Sequence, residues 1–207
     1  IRPIASGKIS VKLGLAYSVI LCLVAFCVLL QFNFFTIVLA LCSMPLAFSY
    51  PFMKRFTYWP QLFLGITFNY GIFLGWTSVN ENLNFAPLIL YIGAIFWTLG
   101  YDTVYGFQDI KDDEIIGVKS TSIKFKKNAK LFLSFCYSVF TLSLLILGNY
   151  MNLNYLFFSF LIIPTLHFII MQINKFDKSN GTVCLSIFKS NNLLGFLIFI
   201  NLLLGKL

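Results

Sequence analysis

Charged residues are scarce in this sequence. Asp, Glu, Lys and Arg make up 11% of its 207 residues, whereas hydrophobic residues make up 59%. Soluble domains carry about 25% charged residues. A chain this poor in charge has too little polar surface for a soluble globular protein, so we expect it to reside in a lipid bilayer.

Metal-binding and disulfide patterns are lacking as well. The chain has a single histidine, His167, and five cysteines, none of which forms a CxxC pair. We therefore expect neither a zinc site nor a disulfide framework, and we interpret the cysteines as small apolar packing residues. The net charge is +8, but no independent domain carries it as a basic patch, so we expect no nucleic-acid partner.

Seven long apolar stretches run through the chain. Each approaches the roughly 20 residues that a membrane-spanning helix needs. They cover approximately 11–31, 34–52, 58–79, 85–101, 131–150, 153–173 and 187–205. Because the stretches are continuous and do not alternate with polar residues, they favour helices over barrel strands. We therefore predict an all-α, polytopic membrane helix bundle with about seven transmembrane helices, forming a single domain over 1–207.

The basic residues are distributed asymmetrically among the connecting loops. With the N-terminal end on the cytoplasmic side, 14 of the 15 Lys and Arg residues fall on that side and only Lys206 falls on the other. This is the pattern of the positive-inside rule. Six of the seven acidic residues, all except Glu81, lie on the same side. Since acids contribute little to topology, their clustering requires a separate explanation.

The segment from Tyr101 to Asp113, after the fourth apolar stretch, offers that explanation. If the helix continues through it, Asp102, Tyr105, Asp109 and Asp113 share one face. Carboxylates stacked in this way repel each other, and a bridging Mg²⁺ ion would remove the repulsion. The spacing therefore predicts a Mg²⁺-dependent diphosphate site at the membrane surface, with an ordinary solvated acidic loop as the alternative.

Basic residues on the same side complete this chemistry. Lys119 follows the acidic segment, and Lys54 and Arg55 lie in an earlier loop. Carboxylates that hold a metal ion, together with cations that meet phosphate oxygens, are what the departure of a diphosphate requires. The lysines within 124–127 are interpreted instead as positive-inside anchors.

Four groups of residues resemble motifs of the UbiA prenyltransferase family, in the family's order. Asp102-xx-Tyr105-xxx-Asp109, with Asp112-Asp113 and Gly117-Val118-Lys119-Ser120-Thr121, resembles its second aspartate motif. Tyr50-Pro51-Phe52-Met53-Lys54-Arg55, with Pro60-Gln61 and Gly65, resembles a loop of the hydroxybenzoate branch. Arg2-Pro3-Ile4-Ala5-Ser6-Gly7 resembles the stretch after the first aspartate motif, and Asn191-Asn192 with Gly195 resembles the start of the last span.

The resemblance implies a nine-helix membrane fold with a central cavity open to lipid. Two aspartate motifs on cytoplasmic loops would share the Mg²⁺ ions that hold a polyprenyl diphosphate. The seven spans would be the third to ninth of the family, so the first motif, NDxxDxxxD, would precede Ile1. We therefore expect this chain to lack an N-terminal part, to be inactive by itself, and to expose unusually many side chains of its first two spans.

The hydroxybenzoate branch implies prenylation of the ring of 4-hydroxybenzoate, ortho to its phenol, in ubiquinone biosynthesis. The expected partners are polyprenyl diphosphate, 4-hydroxybenzoate and the lipid bilayer. The expected location is a bacterial or mitochondrial inner membrane, with the active-site loops on the cytoplasmic or matrix side.

The resemblance also suggests roles for individual residues. The expected catalytic residues are Asp102, Tyr105, Asp109 and Asp113, and the three aspartates among them are the expected Mg²⁺ ligands, Asp109 and Asp113 foremost. The expected substrate-binding residues are Arg2, Lys54, Arg55 and Lys119. Of these, Lys54 and Lys119 would meet the diphosphate, and the planar fork of Arg55 suits either the diphosphate or the acceptor carboxylate.

Three other interpretations stay open. The nearest is another UbiA-type enzyme, such as a haem- or menaquinone-pathway prenyltransferase. A transporter would need ionisable residues near the bilayer midplane, whereas the acids here cluster at one boundary. The third is a non-catalytic fragment of a split gene.

Overall fold

The described part of the chain is helical throughout. The computed structural model describes residues 3–4 and 6–207, in which no β-strand occurs. The α-helices in these residues are α1 (Val11–Leu29), α2 (Phe34–Ser49), α3 (Met53–Phe56), α4 (Pro60–Phe68), α5 (Gly71–Asn80), α6 (Phe85–Gly106), α7 (Ile110–Ile116), α8 (Thr121–Lys124), α9 (Ala129–Tyr150), α10 (Tyr155–Phe160), α11 (Ile162–His167) and α12 (Gly181–Leu204). A 3₁₀ turn (Tyr50–Phe52) joins α2 to α3, and a π-helical segment (Phe168–Asn174) follows α11.

Across 3–4 and 6–207, the helices form seven segments that are long and apolar enough to span a membrane. This confirms the predicted all-α membrane bundle with seven spans. Three boundaries differ from the prediction by about four residues or more, because the second span continues to Phe56, the fourth span continues to Gly106 and the last span begins at Gly181. The earlier start of α12 follows from Asn180, whose side chain accepts a hydrogen bond from the Val183 N–H at 3.2 Å and caps the helix.

The centre of the bundle is the pair formed by α6 and α9. The two helices approach closely where α6 carries glycine. A Cβ atom at Gly93 would lie 2.7 Å from Ser143, and one at Gly100 would lie 2.7 Å from the Tyr137 ring. Small residues at helix interfaces are typical of membrane bundles, where close backbone packing stabilises association. Helices α4 and α12 pack on α6, and Phe157, Leu161 and Phe168 of the sixth span also belong to the core.

The first two spans are exposed along most of their length. Helix α1 contains no buried residue, and Thr36 is the buried residue of α2. The Thr36 hydroxyl hydrogen-bonds to the hydroxyl of Thr77 in α5 at 2.9 Å, which attaches α2 to the bundle. The exposure expected for these two spans is thus confirmed, and their outward side chains are apolar enough to face lipid.

Three polar loops meet at one face of the bundle. The backbone N–H of Lys119 donates to the Lys54 carbonyl at 2.9 Å. The ammonium group of Lys178 donates to the Lys126 carbonyl at 3.3 Å. The loops after α3, after α7 and before α12 therefore lie on the same side, as the charge distribution predicts. That this side is cytoplasmic or matrix-facing stays a prediction.

Candidate active site

Helix α6 ends at Gly106, before Asp109 and Asp113, and a side-chain hydrogen bond occupies a carbonyl of its last turn. The Ser122 hydroxyl donates to the Thr103 carbonyl at 2.8 Å. In a continuing α-helix that carbonyl would accept the N–H of Phe107, which instead bonds to the Val104 carbonyl at 3.2 Å. The prediction of one continuous helix face from Asp102 to Asp113 is therefore wrong.

A buried polar network lies behind this helix end. The side-chain oxygen of Gln61 accepts from the Thr121 N–H at 3.0 Å, and the hydroxyls of Thr121 and Thr103 are 2.6 Å apart. All three residues are almost completely buried. The network fixes α8 to α4 and α6, and thereby positions the loop that carries the aspartates. In the sequence, Gln61 and Thr121 stand out only as members of motifs, and nothing there indicates this role.

Two aspartates lie one helical turn apart on α7. Asp109 occupies the N-cap position, and the N–H of Asp113 donates to its carbonyl at 2.9 Å. Residues at this spacing have Cβ atoms about 5–6 Å apart. Helix α7 ends at Gly117, whose φ of 78° is the left-handed conformation that glycine adopts without strain. After this turn the chain runs toward α3, where the Lys119 N–H bonds to the Lys54 carbonyl.

Two basic residues, Lys54 and Lys119, lie next to each other near α7. The Lys54 ammonium lies 3.8 Å from a carboxylate oxygen of Asp113. Lys119 reaches the same loop, since its ammonium donates to the Phe56 carbonyl at 3.3 Å and lies 5.5 Å from the centre of the Tyr58 ring. The structure thus places Lys54 beside Asp113 and joins Lys119 to Lys54, although Lys54 lies far from both residues in the sequence.

Asp102 lies near this group, in the last turns of α6. Electrostatic interactions connect its partly buried carboxylate with Lys54 and with the Tyr50 hydroxyl. In the described ranges, however, no three His, Cys, Asp or Glu side chains are gathered so as to hold a metal ion. The helix expected to align Asp102, Asp109 and Asp113 is interrupted after Gly106, and their role as Mg²⁺ ligands stays a prediction.

An aromatic column runs from the aspartates into the membrane. Trp97, Tyr101 and Tyr105 recur every four residues on α6, and Phe188 of α12 packs against two of them. The ring centres of Tyr105 and Phe188 are 4.7 Å apart, and those of Tyr101 and Phe188 are 5.7 Å apart. The Trp97 indole donates to the Asn191 side chain at 2.9 Å. Of these residues, only Tyr105 was predicted from the sequence, although the four-residue spacing also points to Trp97 and Tyr101.

Two further residues, Arg55 and Arg2, were predicted to bind substrate. Helix α3 places Arg55 directly beside Lys54, and its side chain is exposed. Arg2 lies outside the described residues.

Curated relatives match the whole length of the chain. It is 40% identical over 210 residues to a mitochondrial 4-hydroxybenzoate polyprenyltransferase of Arabidopsis thaliana, covering 100% of this chain and 51% of that protein. It is 39% identical over 217 residues to the Bos taurus protein of the same name, covering 100% and 56%. A 4-hydroxybenzoate geranyltransferase 2 of Lithospermum erythrorhizon is 38% identical over 210 residues, with coverage of 100% and 67%. The chain thus spans about half the length of the first two relatives.

Solved structures show the same fold. A UbiA homolog from Aeropyrum pernix K1 superposes with a TM-score of 0.84 at 20% identity, covering 100% of this chain and 77% of that one. The structure of a digeranylgeranylglyceryl phosphate synthase superposes with a TM-score of 0.70 at 18% identity, covering 100% and 74%. A profile of the UbiA prenyltransferase family matches residues 1–203. Since that match extends from the first loop to the last span, the chain belongs to the UbiA prenyltransferase family.

Proposed function

We propose that the protein transfers a polyprenyl group from polyprenyl diphosphate to the ring of 4-hydroxybenzoate, in ubiquinone biosynthesis. The observation that carries this proposal is the contact of Lys54 with Asp113, with Lys119 hydrogen-bonded to Lys54, at the polar-face end of α6. The site thereby offers both cations and a carboxylate to a diphosphate whose apolar tail stays in the bilayer. The names of the curated relatives support 4-hydroxybenzoate as the acceptor.

The carboxylates of α7 fit a Mg²⁺ ion. Mg²⁺ in proteins usually takes one or two carboxylates and fills its shell with substrate phosphates and water. Asp109 and Asp113, one turn apart, would hold the ion, and Lys54 beside Asp113 would reach the same phosphate. When bound, Mg²⁺ would neutralise the charge that develops on the departing diphosphate.

The basic side chains bind and stabilise the leaving group. A separation of 3.8 Å between Lys54 and Asp113 is longer than a hydrogen-bonded ion pair, so Lys54 keeps donors free for phosphate oxygens. The backbone of Lys119 is hydrogen-bonded to that of Lys54, which holds the two residues next to each other. Both charges stabilise the diphosphate more strongly as the allylic C–O bond breaks.

The aromatic column accepts the polyprenyl tail and the cation formed on it. Ring faces stabilise nearby cations, and the Tyr105 and Tyr101 rings lie between the aspartates and the membrane interior. Arg55 would hold the acceptor through its carboxylate with two parallel hydrogen bonds. The ring carbon ortho to the phenol then forms the new C–C bond, and its proton leaves.

The test uses membranes that contain the protein expressed from its natural reading frame. They are incubated with 4-hydroxybenzoate and polyprenyl diphosphate, with Mg²⁺ or with a chelator. We expect prenylated hydroxybenzoate only with Mg²⁺. Full turnover with the chelator would refute the metal role. Turnover of a different acceptor, with none of 4-hydroxybenzoate, would assign the protein to another branch of the family.

A further inference from the structure

A lysine-lined cavity lies at the polar face, where α9 begins and the loop before α12 passes it. Its volume is about 580 Å³. The lining includes four lysines, Lys126, Lys127, Lys130 and Lys178, and one acidic residue, Asp177. Leu131 and Phe176 form an apolar part of its wall. The start of a membrane-spanning helix places this cavity at the level of the lipid headgroups.

The cavity keeps an excess of positive charge. Lys126 is paired with Glu114 at 2.7 Å. Asp177 accepts hydrogen bonds from the Ser179 hydroxyl at 2.6 Å and the Ser179 N–H at 2.9 Å. These bonds, together with nearby Lys130, hold the pKa of the Asp177 carboxyl below its ordinary value, so it stays anionic. Even so, the lining lysines outnumber Glu114 and Asp177 by two.

An apolar groove continues from the cavity along α9. Its upper part, about 270 Å³, lies between α9 and the π-helical segment, and its lower part, about 280 Å³, lies between α9 and the α10–α11 pair. The two parts share Thr141, Leu145 and Thr165. They therefore form one continuous channel on the lipid-facing side of these helices.

The upper end of the groove adjoins the lysine cavity. Ser134 lines the groove and lies one helical turn below Lys130, which lines the cavity. From Ser134 to Leu145 the helix rises about 16 Å. That is close to half of the roughly 30 Å hydrocarbon core of a bilayer. The groove is thus as long as an acyl chain within a single leaflet.

We propose that the cavity and groove together bind one anionic phospholipid. Its phosphate lies among Lys127, Lys130 and Lys178, and an acyl chain follows α9 to Leu145. The excess positive charge of the cavity favours an anionic headgroup. The apolar groove that adjoins the cavity favours a lipid over free phosphate, because only a lipid has an acyl chain to fill it. This inference does not depend on the proposed enzymatic function, because none of these residues belongs to the aspartate site.

The headgroup part is tested by native mass spectrometry of the purified protein with equal concentrations of dioleoylphosphatidylglycerol and dioleoylphosphatidylcholine. We expect the wild type to prefer the anionic lipid. The triple variant K127Q/K130Q/K178Q should lose that preference by a factor on the order of 100, since each lysine near an anionic headgroup contributes about fivefold. The control K8Q/K12Q/K111Q removes the same charge elsewhere on this face and should keep the preference. An equal loss in both triple variants, or no preference in the wild type, would overturn the proposal.

The acyl-chain part is tested by filling the groove. Leu145→Trp blocks the channel, whereas Ile146→Trp places the same bulk on α9 outside it, at a side chain that is 48% exposed. We expect only Leu145→Trp to weaken retention of the anionic lipid. Inorganic phosphate at millimolar concentration should not displace the lipid from the wild type. Displacement by phosphate, together with unchanged lipid retention in Leu145→Trp, would identify a soluble-anion site and refute the lipid proposal.

Discussion

The Lys54 ammonium lies 3.8 Å from the Asp113 carboxylate, and the two residues come from separate short helices, α3 and α7. The Lys54 side chain is 49% exposed, so the ion pair is screened by solvent and contributes little to stability. The two loops are held together instead by the backbone hydrogen bond from Lys119 to Lys54. The pair therefore contributes little to folding, which agrees with the role proposed for both residues in binding a diphosphate.

Asp113→Asn tests the carboxylate side of this pair. The substitution keeps the size of the side chain and removes its charge, so Mg²⁺ and the diphosphate lose one electrostatic stabiliser. We expect the rate of prenyl transfer to fall by about 10²–10³-fold or more, with unchanged membrane insertion. Asp109→Ala should have the same effect. The measurement is the initial rate of product formation in membranes matched for protein content.

Glu114→Gln is the matched control for these variants. It neutralises the next residue of α7, whose partner is Lys126 rather than Lys54. Its activity should stay close to that of the wild type. If Glu114→Gln and Asp113→Asn lose activity equally, the effect reflects the net charge of α7 and the assigned metal role is wrong.

Lys119 combines two separable roles, one in its backbone and one in its side chain. Lys119→Ala keeps the N–H that bonds to Lys54 and removes the ammonium, so we expect a higher KM for polyprenyl diphosphate and an unchanged melting temperature. Lys119→Pro also removes the N–H, which disconnects the two loops and should lower both kcat and the melting temperature. Steady-state kinetics and thermal unfolding in detergent distinguish the two. Identical behaviour of both variants would contradict the positioning role of the backbone bond.

The spans and the shared polar face could be predicted from the sequence because each depends on local composition. A continuous apolar stretch predicts a membrane helix, and the lysine distribution orients it. The same local reasoning linked Lys54 and Lys119 to the aspartates. These residues could be expected to lie close together because their loops lie on the same side of the membrane. That condition restricts the possible arrangements of the loops much more than in a soluble protein.

The end of α6 could not be predicted in this way. Its cause is a tertiary hydrogen bond, from the Ser122 hydroxyl to the Thr103 carbonyl, between residues in different helices. The local sequence from Thr103 to Asp109 contains Gly106, which weakens a helix, but no proline, which would stop one. The helical periodicity therefore placed Asp102 on the same face as Asp109 and Asp113, which the structure contradicts.

Gln61 should be important for stability as well as for site geometry. In Gln61→Leu, the buried N–H of Thr121 loses its acceptor. Leaving such a group unsatisfied costs about 1–3 kcal/mol, so the melting temperature should fall. Gln61→Glu retains an acceptor oxygen even as the neutral acid, so it should recover part of the loss at acidic pH, where the buried carboxyl carries no charge. A melting temperature equal to that of the wild type in Gln61→Leu would show that water replaces the bond.

The orientation of the polar face is tested by cysteine labelling in intact cells, in a background without the native cysteines. Lys126→Cys should not react with an impermeant thiol reagent until the membrane is permeabilised, because basic loops stay on the cytoplasmic or matrix side. Asn82→Cys, in the loop between α5 and α6, should react from outside. Labelling of Lys126→Cys before permeabilisation would reverse the topology.

Tyr105 distinguishes an aromatic ring effect from a hydroxyl effect. Its ring packs on Phe188 at 4.7 Å, at the boundary between the aspartates and the membrane. If the ring face stabilises the allylic cation, Tyr105→Leu should lower kcat by about 2- to 30-fold, the range expected for one cation–π contact. Tyr105→Phe keeps the ring and should retain most of the activity. Tyr150→Leu, a 48% exposed tyrosine at the far end of α9, is the matched control and should have no effect.

The measured quantity is kcat at saturating polyprenyl diphosphate, since the ring contact acts after the diphosphate is bound. The KM for the diphosphate depends on Lys54, Lys119 and the metal ion, so it should change little in Tyr105→Leu. An equal loss of kcat in Tyr105→Phe and Tyr105→Leu would assign the effect to the hydroxyl and rule out the ring as the stabilising group. A rise in KM with unchanged kcat would instead show that Tyr105 only helps to seat the polyprenyl tail, because binding that is equal in the ground and transition states leaves kcat unaffected.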